Sequence, residues 1–297
     1  MFVRISVGEH PASIFSTTWA RRIKIKPNAA LNDKILIGMR TRILCAFAAA
    51  LAACILFAAI DIPAIPYAPG DRTQPLPRQI TPGGGGTEYQ PGAPPSDAVV
   101  LFDGNSLSGW QHPNGKPADW LVSGGILQVK PKSGDLQTTQ AFGDCQVHVE
   151  WATPDPTRGE DQEPGNSGVF LMTLYEIQVL DSFRNKTYPD GQAGAVYSQY
   201  PPLVNASLPP GIWQTYDIVF HGPRFSAEGD LMRLATATVF YNGVLVQDHV
   251  TLTGPTEWVK RPPYHAHAAK MPLRLQDHGQ PVRYRNIWIR EIPEGTR

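Results

Sequence analysis

From Val99 to Ile292 the chain never sustains a helical apolar period; it advances in short runs of period two, each cut off by glycine, proline or Asn-Gly. This limits the fold more than any other feature, because a period of two sends alternate side chains to opposite faces of a strand, and an apolar face needs a second layer to cover it. Cys145–Trp151 sets Cys145, Val147, Val149 and Trp151 on one face and Gln146, His148 and Glu150 on the other. Trp213–Phe220 divides in the same way, with Gln214, Tyr216, Ile218 and Phe220 together. Val99–Phe102, Gly194–Ser198, Leu273–Gln276 and Val282–Ile292 read as further strands, and Gly124-Gly125 and Asn242-Gly243 as hairpin turns. At most a short helical turn fits near residues 228–234. The pattern predicts about ten to thirteen strands in an all-β fold, a two-sheet antiparallel sandwich. The helix–strand alternation that a parallel sheet needs is missing.

The N-terminal third has a different composition. Eight of the 26 Lys and Arg but only two of the 26 Asp and Glu lie in residues 1–42, which are net +6 and leave the remainder at −6. An acidic body argues against nucleic acid as a partner. Ile43–Ile60 is 18 residues without a charge, and Arg40 and Arg42 precede it. That is the pattern of a secretory signal or an N-terminal anchor held in the inner or outer membrane. Residues 39–60 are therefore expected to export the body to the periplasm or cell envelope. Residues 1–38 form a basic extension, read either as a cytosolic tail or as translation from a start upstream of Met39. Leu51-Ala-Ala-Cys54 has the form of a lipobox, so a lipoprotein, an uncleaved anchor and a free periplasmic form all stay open. Residues 61–97, rich in proline and carrying Gly83–Gly86, read as an extended linker that lacks the apolar side chains to offset ordering. The folded domain is expected over 98–293. Its one cysteine, Cys145, has no partner within the body and reads as a small buried residue.

Within the body, Gly165–Asp181 opens with turn chemistry and reads as one long apolar strand. It nonetheless places Glu176 and Gln178 on one face, where a dry core would not tolerate an unpaired charge. Cys145–Trp151 offers His148 and Glu150, and Leu273–His278 offers Arg274, Gln276 and His278 on the face away from Leu273 and Leu275. A solvated sheet face alternates polar and apolar residues anyway. Lys, common on such faces, is however absent from all three segments, and His, Gln and Glu dominate. The three segments are therefore expected to form one ligand site, with Asn166 near enough to hydrogen-bond the ligand. Asp181 is read mainly as a cap on the loop that follows. Arg285, counted on the face of Ile287 and Ile289, is expected to be buried against a carboxylate. His265-Ala-His267 lacks a third ligand for zinc. No cofactor is implied, and a divalent metal stays open.

The order of motifs is itself specific. Leu101-Phe-Asp-Gly-Asn-Ser-Leu-Ser-Gly-Trp110, Gly165-Asn-Ser-Gly-Val-Phe170, Tyr175-Glu-Ile-Gln-Val-Leu-Asp181, Gly191-Gln-Ala-Gly-Ala-Val-Tyr197, Trp213-Gln-Thr-Tyr-Asp217, Asn242-Gly243, Leu275-Gln-Asp-His-Gly279 and Arg285-Asn-Ile-Trp288 follow one another through the body. This succession resembles the 3-keto-disaccharide hydrolase family. The resemblance implies a concanavalin-like jelly roll acting on an oxidised carbohydrate, a glycoside carrying a ketone at C3. Such a ketone acidifies the C2 proton, so a base can form an enolate and the C1 substituent can leave by elimination, followed by hydration. The reaction needs a base, a donor for the enolate oxygen and an acid for the leaving group. Glu176 or His278 is the expected base. Gln178, Gln276 and Arg274 are the expected donors, and His148 and Glu150 the expected acids. The alternative is a carbohydrate-binding module without catalysis, since fold alone does not decide function. A structural envelope protein is a third reading.

Overall fold

The computed structural model describes residues 90–293. The readings of the basic extension, the apolar run and the linker up to residue 89 lie outside the described residues. Among those described, no helix is long and apolar enough to cross a membrane.

Fifteen strands form in chain order, more than the sequence pattern suggests. They are β1 (Val99–Phe102), β2 (Trp110–Gln111), β3 (Leu121–Ser123), β4 (Ile126–Gln128), β5 (Leu136–Phe142), β6 (Cys145–Ala152), β7 (Ser167–Leu171) and β8 (Tyr175–Val179). After a 3₁₀ turn at Pro189–Gly191 come β9 (Gln214–His221), β10 (Arg224–Phe225), β11 (Leu231–Arg233), β12 (Thr236–Tyr241), β13 (Val244–Thr251), β14 (Met271–Leu275) and β15 (Arg283–Glu291). The large sheet has eight strands in the order β13-β12-β9-β6-β15-β4-β3, with β1 also on β15, and the small sheet runs β2-β5-β14-β7-β8. Every paired strand is antiparallel to its neighbour. The expected two-sheet sandwich is the fold.

Three sequence readings change. Gly165–Asp181 is not one strand but a hairpin, β7 and β8, because Met172 and Thr173 take positive φ (51° and 59°) and reverse the chain. Gly194–Ser198 is a loop whose Val196 makes isolated bridges to Ile177, at the edge of β8, and to Tyr200. The 228–234 region is the β10–β11 hairpin, without a helical turn.

The inner faces supply the core. Val147, Val149, Trp151, Ile218, Phe220, Val239 and Ile289 from the large sheet meet Leu136, Val169, Leu171, Ile177, Val179, Leu273 and Leu275 from the small one, all buried. Trp151 packs against Tyr216 and Tyr241, with ring centroids 5.3 and 5.7 Å away. Tyrosines of the large sheet also cross the core to find acceptors. Tyr216 donates to the Gln178 carbonyl at 2.6 Å, and Tyr284 donates to Ser167 Oγ at 2.6 Å. Buried phenols satisfied in this way add direction to packing that is otherwise non-directional. They hold β7 and β8 in one register over the large sheet.

In β15 the ladder to β6 breaks between Arg285 and Trp288, and Asn286 takes φ 47°. Such a bulge resets the alternation. Arg285 therefore does not share a face with Ile287 and Ile289, as simple counting suggests; it points outward with Trp288, and Tyr284, Ile287 and Ile289 point into the core. The carboxylate expected beside it is Glu150, which accepts from Arg285 Nε at 2.6 Å, Asn286 Nδ2 at 2.8 Å and the Gly92 amide at 2.8 Å. Breaking such a pair leaves a buried charge uncompensated. Glu150→Ala is expected to lower stability by about 3–5 kcal/mol, read from urea unfolding, with turnover per folded molecule unchanged.

Candidate active site

β8 carries Ile177 and Val179 toward the core and Glu176 and Gln178 away from it, as period two requires. The outer face of an antiparallel sheet ordinarily meets water. Here every residue of β7 and β8 is buried, because loops fold over that face. The Gly194–Tyr197 loop pairs along β8, with Gln178 N to Ala195 O at 3.0 Å, Gly194 N to Gln178 O at 3.0 Å and Tyr197 N to Glu176 O at 3.2 Å. Farther along the same edge Thr256 Oγ1 accepts from the Glu176 amide and donates to the Leu174 carbonyl, both at 3.0 Å. Asp181 ties down the loop after β8 by accepting from Thr157 Oγ1 at 2.8 Å and from the Phe183 amide at 3.1 Å. This is the capping role read from the sequence.

Between these loops and the sheet lies a cavity of ≈ 470 Å³ whose wall includes Glu176, Gln178, Asn166, Gln276, Tyr188 and Tyr197. His278 borders the same cavity from an exposed position, and Trp258 stands at its mouth, 71% exposed.

Glu176 is 5% exposed, and its carboxylate has no hydrogen-bond partner among the described residues. Burial pushes its pKa up to about 8; the Arg274 cation opposes that rise and the Asp135 carboxylate adds to it. Register explains the neighbours. Phe170 lies opposite Glu176 on β7, and Arg274 lies opposite Phe170 on β14. The Arg274 guanidinium sits 4.1 Å from the Phe170 ring centroid and 3.4 Å from Asp135, so its charge is shared. Gly168 lies beneath the carboxylate, and a methyl group there would collide with Glu176 Oε1 and the Phe170 ring.

The amides around Glu176 are only partly satisfied. Gln178 Nε2 donates to Gln162 Oε1 at 3.1 Å and to Asn166 Oδ1 at 3.4 Å, whereas the buried Oε1 atoms of Gln178 and Gln276 have no partner. An unsatisfied buried acceptor costs about 1–3 kcal/mol, and a cavity wall is where a ligand hydroxyl can remove that cost. Tyr188 and Tyr197 share a hydrogen bond of 2.6 Å between hydroxyls. Burial raises the pKa of both, so each keeps its proton.

The structure thus brings Glu176, Gln178, Asn166, Gln276 and His278 to one cavity, with Arg274 beside Glu176. It does not bring His148 and Glu150 there, which corrects the single site expected from the sequence; Arg285, expected against a carboxylate, lies with them. They lie on the outer face of the large sheet, on the opposite side of the sandwich. His148 stacks on Trp288 at 5.1 Å and its Nδ1 is 2.7 Å from Asp217 Oδ1. Burial works against its charge, but the hydrogen bond to Asp217 and the Glu150 carboxylate 3.7 Å from Nε2 prevail and raise its pKa. Burial likewise opposes the charge on Glu150, and the nearby His148 together with the bonds from Gly92, Asn286 and Arg285 holds it well below the usual carboxylate range. Alternation identifies a residue as facing away from the core; it does not say from which of two sheets. His267, the better placed of the His265-Ala-His267 pair, is engaged by the Tyr175 hydroxyl at 2.8 Å. Among the described residues no group of three His, Cys, Asp or Glu could hold a metal.

Gln162, Tyr188, Thr256 and Trp258 were not legible as site residues, because they sit in loops where periodicity carries no information. Tyr197 ends one of the recurring motifs, Gly191–Tyr197, and that was the only signal available for it.

A family model described as the 3-keto-alpha-glucoside-1,2-lyase-like domain matches residues 97–290. Among solved structures, a candidate glycosyl hydrolase from Parabacteroides distasonis ATCC 8503 is 44% identical, with a TM-score of 0.70 and coverage of 74% of this chain and 93% of that one. A second candidate glycosyl hydrolase from that bacterium is 21% identical, with a TM-score of 0.48 and coverage of 66% of this chain and 94% of its own. No curated protein matches the chain at a significant level.

Two outcomes follow from the environment of Glu176. Its raised pKa means that the folded state holds a proton which the unfolded chain releases near pH 4.5, so this group subtracts stability as pH rises from there through about 8. Glu176→Gln removes that dependence. Its melting temperature relative to wild type is expected to climb between pH 5 and pH 8 by upward of about 2 °C, read by calorimetry; a constant difference would contradict the raised pKa. Gly168→Ala is expected to keep the fold, since the obstructing atoms are side-chain ends, while displacing the carboxylate and lowering turnover about tenfold or more.

Proposed function

The chain belongs to the family of 3-keto-alpha-glucoside-1,2-lyase-like domains, and from that premise we propose that it cleaves glycosides already oxidised at C3, with Glu176 as the base. The observation that carries this reading is the combination at one cavity wall of a carboxylate without a hydrogen-bond partner, its pKa pushed up to about 8, and amide oxygens left unsatisfied. A general base works best when its pKa lies near the working pH. The 44% identical structure, described as a candidate glycosyl hydrolase, supports the cleavage of a glycosidic bond.

In this mechanism the Glu176 carboxylate takes the C2 proton, and the C–H electron pair becomes the C2–C3 double bond of an enolate. The Gln276 side-chain amide, which makes no hydrogen bond among the described residues, donates to the enolate oxygen. Gln178 Oε1 accepts from a sugar hydroxyl, and Asn166 orients Gln178. The electrons then return to form a C1–C2 double bond as the C1–O bond breaks, regenerating the C3 ketone. The departing oxygen takes a proton from the Tyr188–Tyr197 pair, which fills the acid role first expected of His148 and Glu150. Water then adds its oxygen to C1 and gives a proton back to the Tyr188–Tyr197 pair, while protonated Glu176 returns a proton to C2, which completes net hydrolysis and restores both groups. His278 contacts the outer part of the substrate from the rim.

Turnover of a 3-keto-glucoside in deuterated water tests this directly. Deuterium at C2 of the product is expected, together with a rate that rises with pH through about 8 as Glu176 ionises. Glu176→Gln is expected to lose about 10²–10⁴ in kcat, and His278→Ala to raise KM more than it lowers kcat. Product without C2 label would reject proton abstraction, and binding of glycans with no product would favour the binding-module reading.

A further inference from the structure

Beyond Tyr188 the cleft continues into a second cavity of ≈ 570 Å³, lined by Tyr188, Asp190, Ser198, Val259, Lys260 and Arg261. Tyr188 borders both cavities. With the Tyr188–Tyr197 pair as proton donor to the departing oxygen, a C1 substituent that passes Tyr188 would enter the second cavity.

Its chemistry differs from that of the first. Each polar side chain in its wall already has a protein partner. Tyr188 bonds Tyr197, Arg261 Nε donates to the Ser198 carbonyl at 2.7 Å, and an Arg261 amine nitrogen stands 3.6 Å from Asp190. Lys260 Nζ donates to Glu257 at 2.6 Å, and Ser198 Oγ accepts from the Val259 amide at 3.2 Å. The apolar groups, in contrast, are bare: Trp258 at the mouth of the first cavity and Val259 in the wall of the second are each 71% exposed. Val259 also has φ 51°, a left-handed conformation that a β-branched residue resists. A loop that holds a valine in strain so that two large apolar side chains face water is shaped for something other than its own packing.

We propose that this second cavity is a leaving-group subsite and that it takes aglycones with a flat apolar face, an aryl group above all. The proposal rests on the reading of the first cavity as the sugar site. Apolar surface on the ligand would cover Trp258 and Val259, which the described residues leave uncovered.

The test compares 4-methylphenyl and methyl 3-keto-α-glucosides on wild type, Trp258→Ala and Val259→Ser. The ratio of kcat/KM for the aryl over the methyl substrate is expected to fall about tenfold in each variant, because comparing enzymes on the same substrate pair cancels intrinsic leaving-group reactivity. An unchanged ratio would overturn the subsite. Saturation-transfer NMR with unoxidised 4-nitrophenyl α-glucoside gives a readout independent of turnover. Transfer to the aryl protons that weakens in both variants supports the subsite, and absent or unweakened transfer rejects it. Failure of wild type to turn over either keto-glucoside would instead reject the reading of the first cavity.

Discussion

A nearly buried carboxylate without a hydrogen bond among the described residues is among the less favourable arrangements a protein can keep, and Glu176, 5% exposed on the cavity wall, is in that position. It persists because the group answers by holding its proton, and because β8 is fixed from every side. Its inner face packs into the core, its edge pairs with the Gly194–Tyr197 loop, and its leading amide is bound by Thr256. Tyr216 reaches through the core to the Gln178 carbonyl. The sandwich thus supplies the rigidity and the covering loops supply the dryness. Without either, water would solvate the carboxylate and restore its ordinary acidity.

The two outer faces of the sandwich show how polar residues of similar type come to different ends. On the large sheet, Glu150 is surrounded by donors and His148 by acceptors, and the group is held charged. Such a network joins the segment around Gly92 to β6 and β15, with Glu150 bonded on both oxygens and His148 Nε2 buried 3.7 Å from it without a hydrogen bond. On the small sheet, Glu176, Gln178 and Gln276 keep unpaired oxygens beside an open cavity. Buried polar groups that are fully satisfied contribute to structure; those left unsatisfied next to a cavity are groups that a ligand can complete.

Small residues mediate much of this difference. Gly168 lets the Glu176 carboxylate lie against the backbone of β7, where a side chain would have displaced it. Asn286, with φ 47°, inserts the bulge that turns Arg285 outward to Glu150 while leaving Tyr284, Ile287 and Ile289 in the core. One accommodates the candidate base and the other assembles the structural network.

The sequence by itself determined the layer architecture, because period-two runs separated by glycine and proline admit little besides an antiparallel sandwich. It also marked Glu176, Gln178, Gln276 and His278 as facing away from the core, and its motif order pointed to the family. What it could not determine was which outward faces are the same surface. Alternation is a local property of one strand, whereas the grouping of His148 and Glu150 apart from Glu176 depends on strand order across two sheets. Nor could it count through the Asn286 bulge or see that Met172 and Thr173 fold one apolar run into a hairpin. The loops that complete the cavity, with Tyr188, Thr256 and Trp258, have no period to read. Only the tertiary structure brought them over β8, and that covering turns an outward-facing glutamate into a buried one.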